Sequence, residues 1–323
     1  MVDDKLVRAF FAKKFISQDE LRAPALLRPN VDLADGRPFG RYFVLNDIAE
    51  GAFGRVVLAV DPLAQRKVAL KLLKRGLPED VERFKRESRL VLELSHPNIV
   101  RTFEVGVVGE QPYIAMAYVP GTLLRDYMAD LGRRLDILVK VAHALAHAHA
   151  LGIVHRDVKP ENVMIDTLGE PFLMDFGLAR RFDTGSQFMT TTGAIAGTPV
   201  YMSPEQASGD GAHVGPASDV FSFGATAYYV FTRSIPFPGA SPEEVFRKIA
   251  EVPPTPPRDL NPRLPERLES VILKAMNKRP EQRYPGAAEL AQGLESCRAL
   301  VDPSAAAAAS KASPAARPWW KFW

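Results

Sequence analysis

The stretch that most constrains the fold runs from Gly152 to Gly177 and reads GIVHRDVKPENVMIDTLGEPFLMDFG. NVMID and PFLMD each have the length and apolar character of a short strand, and Leu168-Gly169 between them predicts a tight turn. We therefore expect an antiparallel hairpin whose two outer ends lie side by side. Asn162 stands just before the first strand and Asp175 just after the second, so both side chains should reach the same end.

The polar residues at that end of the hairpin favour a metal-assisted transfer reaction. Carboxylate and amide oxygens suit a hard cation such as Mg²⁺, which makes Asn162 and Asp175 candidate metal ligands. Asp157 and Lys159 lie immediately upstream, near the same point. Asp157 can orient a hydroxyl group and accept its proton, and Lys159 can neutralise a transferring phosphoryl group.

A glycine-containing stretch, IAEGAFGRV over residues 48–56, lies between two predicted strands. A dinucleotide fingerprint or a Walker loop runs from a strand into a helix, so both are disfavoured here. A strand–loop–strand lid remains, in which Gly51 and Gly54 let the backbone approach phosphates. The alternative is a simple turn. Ala49 stands where a third glycine would, and we expect it to keep extended dihedral angles.

The strand that follows, KVALKLL, carries Lys71 on one face together with Ala69. A buried ammonium group without a partner is very costly, so Lys71 requires an anion nearby. In the helix predicted from Pro78 to Leu94, Glu87 follows the spacing of the apolar residues toward the core. A pair between Lys71 and Glu87 is the preferred interpretation.

Composition excludes several other classes of protein. The 323 residues carry a net charge of +3 from 41 basic and 38 acidic side chains, too small and scattered an excess to indicate nucleic acid. The one cysteine, Cys297, allows no intrachain disulfide and is predicted to be a small buried residue. The N-terminus lacks the apolar core of a signal peptide. The longest uncharged apolar run, Val220 to Thr232, is too short to span a bilayer and predicts a buried helix. A cytoplasmic location is expected.

In order and spacing, these motifs resemble those of the protein kinase family, specifically the Ser/Thr branch and its bacterial members. The resemblance rests on AxGxFGxV (49–56), VALK with Lys71, Glu87 in FKRE, HRDVKPEN (155–162), DFG (175–177) and SPE (203–205). It implies an α+β, bilobal protein kinase fold over about residues 41–300. A small strand-rich N-lobe (about 41–117) with one key helix would precede a larger, mainly helical C-lobe (about 121–300). Residues 1–40 would form a helical appendage and linker, and 301–323 a low-complexity tail.

The resemblance implies transfer of the γ-phosphoryl group of ATP to serine or threonine hydroxyls of proteins, with Mg²⁺, or alternatively Mn²⁺, as the metal. The residues implied in nucleotide binding are Ile48, Gly51, Gly54, Val56, Ala69, Lys71, Glu87, the gatekeeper Met116, and Ala117 and Val119 of the hinge. The implied catalytic residues are Asp157, Lys159 and Thr198, and the implied metal ligands are Asn162 and Asp175. The family often has Glu at the position of Ala117; because the hinge meets adenine through its backbone, we expect little effect.

The activation segment from Asp175 to Glu205 contains Thr190 and Thr192, which match autophosphorylation sites of bacterial members. A phosphate there would pair with Arg156, and two copies of the chain would phosphorylate each other. The alternative is a polar loop without regulation. Asp219 and Arg283 match structural positions: Asp219 is expected to cap the buried helix, and Arg283 to pair with Glu205.

Three alternatives remain open. A pseudokinase scaffold is suggested by Ala49 and the hinge, and opposed by the complete set of catalytic residues. A small-molecule phosphotransferase of related fold generally lacks the GTPxYMSPE segment present here. His143 and His147, four residues apart, could bind a metal, but no general base accompanies them as in HExxH. His149 and His155 match positions of structural packing.

The tail ends in RPWWKFW, with Trp319, Trp320 and Trp323 among its last five residues. Tryptophan and lysine suit the headgroup region of a bilayer, so the tail is expected to contact a membrane surface or to serve as a docking peptide. The alternatives are a disordered end, or the truncated edge of a longer protein whose membrane span is missing.

Overall fold

The computed structural model describes residues 38–51, 54–73, 90–176 and 199–301. These fall into two compact units. The first includes described residues up to Leu94 together with Val100–Val119, and the second includes Ser95–Ile99 and the described residues from Pro120 onward. Within the described residues the chain therefore passes between the units after Leu94, after Ile99 and after Val119. The predicted domain limits remain predictions.

A six-stranded antiparallel sheet dominates the first unit, and its strand order is β1-β2-β3-β4-β6-β5. The predicted strands on both sides of the glycine stretch and around Lys71 are confirmed. The bounds are β1 Pro38–Phe39, β2 Tyr42–Gly51, β3 Gly54–Asp61, β4 Arg66–Leu73, β5 Thr102–Val108 and β6 Gln111–Ala117.

This sheet is strongly curled. The rings of Tyr42 in β2 and Tyr113 in β6 lie 5.8 Å apart, although β3 and β4 separate them in the sheet. In a flat sheet three strand spacings would put them about 14 Å apart. Both hydroxyls donate to the carboxylate of Glu104 in β5, at 2.7 and 2.8 Å. The face inside the curl therefore forms a buried core, made of Tyr42, Val44, Val57, Ala59, Val68, Leu70, Leu72, Tyr113 and Ala115.

The second unit is mainly helical and contains a small antiparallel sheet of order β7-β8-β9. Its strands are β7 Gly121–Leu123, β8 Val163–Asp166 and β9 Pro171–Leu173. Its helices are α1 Leu131–Ala150, α2 Pro204–Ala207, α3 Pro216–Thr232, α4 Pro242–Glu251, α5 Pro257–Leu260, α6 Glu266–Ala275, α7 Ala287–Glu295 and α8 Arg298–Val301, and single 3₁₀ turns cover Pro160–Asn162, Pro199–Tyr201 and Pro280–Gln282.

Helix α3 lies at the centre of this unit, where it packs against α1 and α6. It is apolar on nearly all sides and buried along most of its length, as expected of a helix surrounded by others. The predicted buried helix is thus confirmed, and Cys297 is fully buried. Among the described residues, no helix is both long and apolar enough to cross a membrane.

Three predicted segments fall largely or wholly outside the described residues. They are the N-terminal appendage, the helix predicted from Pro78 to Leu94, of which residues 90–92 are helical, and the C-terminal tail.

Candidate active site

The hairpin predicted around Gly169 is present. Strands β8 and β9 pair antiparallel, and Gly169 takes a positive φ of 82° in the turn between them. At the open end, the backbone N–H of Met174 donates to the carbonyl oxygen of Asn162 over 2.9 Å. The main chain next to Asp175 therefore lies against Asn162, as the sequence indicated.

Asp157 and its two neighbours form a hydrogen-bonded group at this end of the hairpin. Lys159 Nζ donates to Asp157 Oδ2 over 2.8 Å. Asn162 Nδ2 donates to the Asp157 carbonyl oxygen over 2.7 Å and to Oδ2 over 3.1 Å. The side chains of Asp157 and Lys159 are each 16% exposed, so their charges are largely shielded from water and interact strongly.

The donor set fits a magnesium ion. Because the amide nitrogen of Asn162 faces Asp157, its amide oxygen points away from that carboxylate and suits a ligand role. Magnesium is usually held by one or two carboxylates together with substrate phosphates; Asp175 supplies one carboxylate and Asn162 adds an amide oxygen. Among the described residues, no group of three or more His, Cys, Asp or Glu side chains could hold a metal by itself.

His155 connects Asp157 to the strand end that precedes Asp175. It is fully buried and packs on Phe176 with ring centroids 4.6 Å apart. Its Nε2 lies 2.9 Å from the carbonyl oxygen of Met174, and its Nδ1 accepts the backbone N–H of Asp157 over 3.2 Å. A carbonyl can only accept, so Nε2 carries the proton and the ring is neutral. Burial lowers the pKa of His155, in agreement with this state.

One carboxylate fixes the backbone of the catalytic turn, residues 155–157. Asp219 accepts the N–H of His155 over 2.7 Å and that of Arg156 over 2.7 Å. The ring of His149 lies 2.8 Å from the same carboxylate. Arg156 takes a left-handed φ of 67°, a conformation that surrounding contacts must hold in place.

These contacts correct one expectation. Asp219 does not cap α3, whose N-cap is Gly215, with the Gly215 N–H bonded to Ser218 Oγ over 3.1 Å. The resemblance to the kinase family had implied a cap at this position. Its carboxylate instead accepts hydrogen bonds from the backbone of the catalytic turn. Because the bonded residues are more than 60 positions apart in the sequence, local patterns do not reveal the contact.

In the first unit, the glycine stretch forms the end of the β2–β3 hairpin. Gly54 has φ of 140°, and a Cβ there would lie 2.0 Å from the carbonyl oxygen of Leu72. Gly51 is different, because the nearest atom to a Cβ would be 3.9 Å away. Ala49 lies in β2 and pairs with Val56 in β3. It is not among the described non-glycine residues with positive φ. It is therefore extended, as expected.

Four of the predicted nucleotide-binding residues of this unit share one face of the sheet. Val56 lies opposite Lys71, and Ala69 opposite Met116. This is the face away from the core inside the curl, because residues alternate along each strand. Of the remaining predicted residues, Ile48 is 44% exposed, Ala117 donates its N–H to the Arg101 carbonyl, and Val119 is half-buried.

Several predicted site residues lie outside the described part of the chain. These are Glu87, Thr190, Thr192 and Thr198. Their roles, including the pair between Lys71 and Glu87, stay predictions.

The predicted pair between Glu205 and Arg283 is present and buried. The two guanidinium nitrogens of Arg283 bond the two carboxylate oxygens at 2.7 and 2.9 Å. Ser218 Oγ donates to Glu205 Oε1 over 2.7 Å. Burial raises the pKa of Glu205, but the bonds from Arg283 and Ser218 outweigh that effect and the pKa lies below its ordinary value.

The histidines near α1 occupy separate environments. His143 lies 2.8 Å from Glu295, and His147 packs against His96 with ring centroids 5.3 Å apart. Burial and the proximity of His147 lower the pKa of His96 to about 4.

Sequence reasoning missed two residues that shape the site. Asn98 bonds the backbone of β9 through Leu173 and Pro171, at 2.8 and 2.9 Å. Gln206 bonds the carbonyl of Arg156 over 2.9 Å. Gln206 follows the SPE motif directly, and a buried amide beside a known motif is the signal that could have identified it.

A family model described as protein kinase domain matches residues 42–293. A probable serine/threonine-protein kinase of Corynebacterium efficiens is 41% identical over 271 residues, covering 79% of this chain and 41% of the relative. Serine/threonine-protein kinase PknB of Mycobacterium tuberculosis is 39% identical over 266 residues, covering 79% of this chain and 42% of the relative. The chain thus spans about two fifths of the length of these relatives.

Among solved structures, the kinase domain of Mycobacterium tuberculosis PknI is similar with a TM-score of 0.65 and 28% sequence identity. The likeness covers 82% of this chain and 99% of that domain.

Proposed function

Because the chain belongs to the protein kinase family, we propose that it is a serine/threonine protein kinase. It transfers the γ-phosphoryl group of ATP to serine or threonine hydroxyls of proteins. The observation that carries the proposal is the group formed by Asp157, Lys159 and Asn162, hydrogen-bonded at the end of the hairpin that leads to Asp175.

Each member of this group has a role that its contacts support. Asp157 orients the substrate hydroxyl and accepts its proton, since its carboxylate is held by Lys159 and Asn162. Lys159 brings a positive charge beside the transferring group. Asn162 and Asp175 would hold Mg²⁺, or Mn²⁺ in its place, and the metal with ATP supplies the activated phosphoryl group.

Lys71 and the backbone around Gly54 would hold the nucleotide phosphates. The sheet face that carries Lys71 also carries Val56, Ala69 and Met116, which offer an apolar surface to a flat base. The assignment to serine and threonine rests on Lys159 and on relatives that are named serine/threonine-protein kinases.

Phosphate transfer by the purified chain tests the proposal. The chain is incubated with radiolabelled ATP, Mg²⁺ or Mn²⁺, and casein, beside an Asp175→Asn variant. We expect label on protein serine and threonine from the wild type and a large loss in the variant. If neither protein transfers labelled phosphate, a pseudokinase scaffold is favoured. If label appears only on added sugars or antibiotics, a small-molecule phosphotransferase is favoured.

We also propose that Thr190 and Thr192 are phosphorylated by a second copy of the chain and that Arg156 receives the phosphate. Mass spectrometry after incubation with ATP identifies the modified residues. Mixing an inactive Asp157→Asn chain with the active one shows whether one copy modifies another; an unmodified inactive chain contradicts the proposal.

Finally, we propose that the chain works in the cytoplasm and that its tryptophan-rich tail touches the membrane surface. Trp319, Trp320 and Trp323 with Lys321 suit the headgroup region. Co-sedimentation with liposomes, comparing the chain with one ending at Pro303, tests the contact. Equal sedimentation of the two proteins overturns it.

A further inference from the structure

The peptide unit between Arg156 and Asp157 is bonded at both of its polar atoms. Its N–H, which belongs to Asp157, donates to His155 Nδ1 over 3.2 Å. Its C=O, which belongs to Arg156, accepts from Gln206 Nε2 over 2.9 Å. A peptide is planar, so fixing both atoms fixes its orientation and limits the position of the Cα of Asp157.

The bond from Gln206 acts on a strained residue. Arg156 has a φ of 67°, which a residue with a side chain adopts only where its surroundings hold it. Asp219 holds the N–H of Arg156. Gln206 holds the carbonyl on the other side of the same residue.

Gln206 is itself held in place. It is 6% exposed, and its Oε1 accepts the N–H of Ser203 over 3.0 Å. Its backbone N–H bonds Ser203 Oγ over 3.3 Å. Ser222 Oγ lies 3.5 Å from the same Oε1, too far for a strong hydrogen bond between a hydroxyl and an oxygen. Because the amide oxygen is occupied by the Ser203 N–H, the amide nitrogen is directed toward Arg156.

This position requires a side chain that accepts a hydrogen bond from the N–H of Ser203 and donates one to the carbonyl oxygen of Arg156. Methionine has the same length but donates nothing, and an ionised glutamate places a second acceptor against a carbonyl oxygen. A buried carbonyl that loses its donor is also costly.

We propose that Gln206 is a positioning residue for catalysis. It links helix α2, at the end of the activation segment, to the peptide that orients Asp157, and it does not touch the substrate. The kinetic test of this inference rests on the proposed kinase function. The second test, amide hydrogen exchange in the peptide that contains Asp157, depends only on backbone geometry.

The experiment compares Gln206→Met and Gln206→Glu with a Ser222→Ala control, which removes a hydroxyl 3.5 Å from the same amide on the side away from Arg156 and leaves the bond from Ser203 in place. For Gln206→Met we expect kcat to fall by about ten- to hundredfold, because small misplacements of a catalytic group are costly, and the KM for ATP to stay within about twofold. Amide hydrogen exchange in the peptide that contains Asp157 should accelerate. Ser222→Ala should leave kcat and this exchange near the wild-type values.

Gln206→Glu adds a pH signature that a merely structural role does not produce. Once protonated, the glutamic acid can donate to the Arg156 carbonyl as the amide does, so the ratio of variant to wild-type kcat should rise as the pH falls. The surrounding ionisable groups, Arg156, Asp157, His155, Asp219, Glu205 and Arg283, are present in both proteins and largely cancel in that ratio. For Gln206→Met the ratio should not change with pH.

A folded Gln206→Met protein with wild-type kcat and unchanged exchange overturns the inference. If that variant fails to fold, a flat pH ratio for Gln206→Glu overturns it. If the wild type transfers no phosphate, the proposed function fails, and hydrogen exchange still decides whether Gln206 holds the catalytic turn.

Discussion

Arg283 and Glu205 form a two-bonded ion pair in the interior of the second unit, with Arg283 3% and Glu205 8% exposed. The guanidinium also donates to the carbonyl oxygens of Asn277, Lys278 and Ala217. The pair thereby joins the segment after α6 to helix α2 and to the start of α3. Charges this deeply buried are tolerated only when their hydrogen bonds are satisfied.

Removing one partner of this pair should destabilise the protein strongly. We expect Arg283→Met to lower the free energy of unfolding by about 3–5 kcal/mol, because it leaves a buried carboxylate uncompensated. Urea unfolding measures the change. The control is Asp136→Asn, which breaks a pair with Arg298 whose side chains are both 40% exposed, and should cost less than about 1 kcal/mol. Similar losses in the two variants would contradict this account.

The same ion pair should make the free energy of unfolding depend on pH in the acid range. The pKa of Glu205 is lower in the folded protein than its ordinary value of 4.5. Its contribution is therefore complete above the unfolded pKa and is lost as the pH falls through the folded pKa. Between pH 6 and pH 3 we expect the wild type to lose more stability than Glu205→Gln, measured by thermal unfolding. Parallel curves for the two proteins would show that Glu205 is not the titrating group.

The two glycines of the β2–β3 hairpin should respond differently to alanine. Gly54→Ala places a methyl against the Leu72 carbonyl at a positive φ, so we expect a loss of at least about 1–3 kcal/mol and a raised KM for ATP. For Gly51→Ala the nearest described atom to the new methyl is 3.9 Å away, an ordinary contact, so the variant should stay within about 0.5 kcal/mol of the wild type. Thermal unfolding and ATP kinetics measure both. The reverse order of effects would contradict the hairpin geometry.

Ala49→Gly should change little. Ala49 is extended within β2, so a glycine there relieves no strain and costs about 0.5–1 kcal/mol of stability. The KM for ATP should stay within about fivefold of the wild type. Steady-state kinetics checks the expectation, and a large gain in kcat/KM would show that the absent glycine limits the enzyme.

Loss of the proposed base should reduce turnover without loss of the fold. We expect Asp157→Asn to lower kcat by about 10²–10⁴-fold, the usual contribution of general acid–base catalysis. The matched control is Asp126→Asn, whose side chain is 64% exposed and should have no effect on kcat. Unfolding curves for both variants separate a catalytic effect from a structural one. Wild-type turnover in Asp157→Asn would remove this residue from the mechanism.

The sequence predicts most of the local structure of the site, because that structure depends on short-range patterns. The turn at Gly169 and the apolar strands beside it determine the hairpin, so Asn162 and Asp175 could be assigned to one end of it from the sequence alone. The alternation in KVALKLL likewise predicts which face carries Lys71.

Long-range contacts could not be read in the same way. The curl that joins Tyr42 to Glu104 across 62 positions depends on the twist of the whole sheet. The bonds of Asp219 and Gln206 to the catalytic turn connect residues that are 50 or more positions apart. No spacing rule identifies such partners, and the family resemblance implied a helix cap for Asp219 instead.

The dependence of the catalytic turn on Asp219 has a consequence for biosynthesis. A nascent chain that has emerged as far as Asp175 already contains the glycine hairpin, Lys71, Asp157 and Asn162. It lacks the carboxylate that bonds His155 and Arg156, so nothing from α3 can yet hold the left-handed Arg156. Since domains acquire distant contacts only after the later segment is synthesised, the ribosome must translate at least 44 further residues (219 − 175) before the turn can form as described. Chains that stall earlier carry nearly every reactive group and still lack a formed catalytic centre.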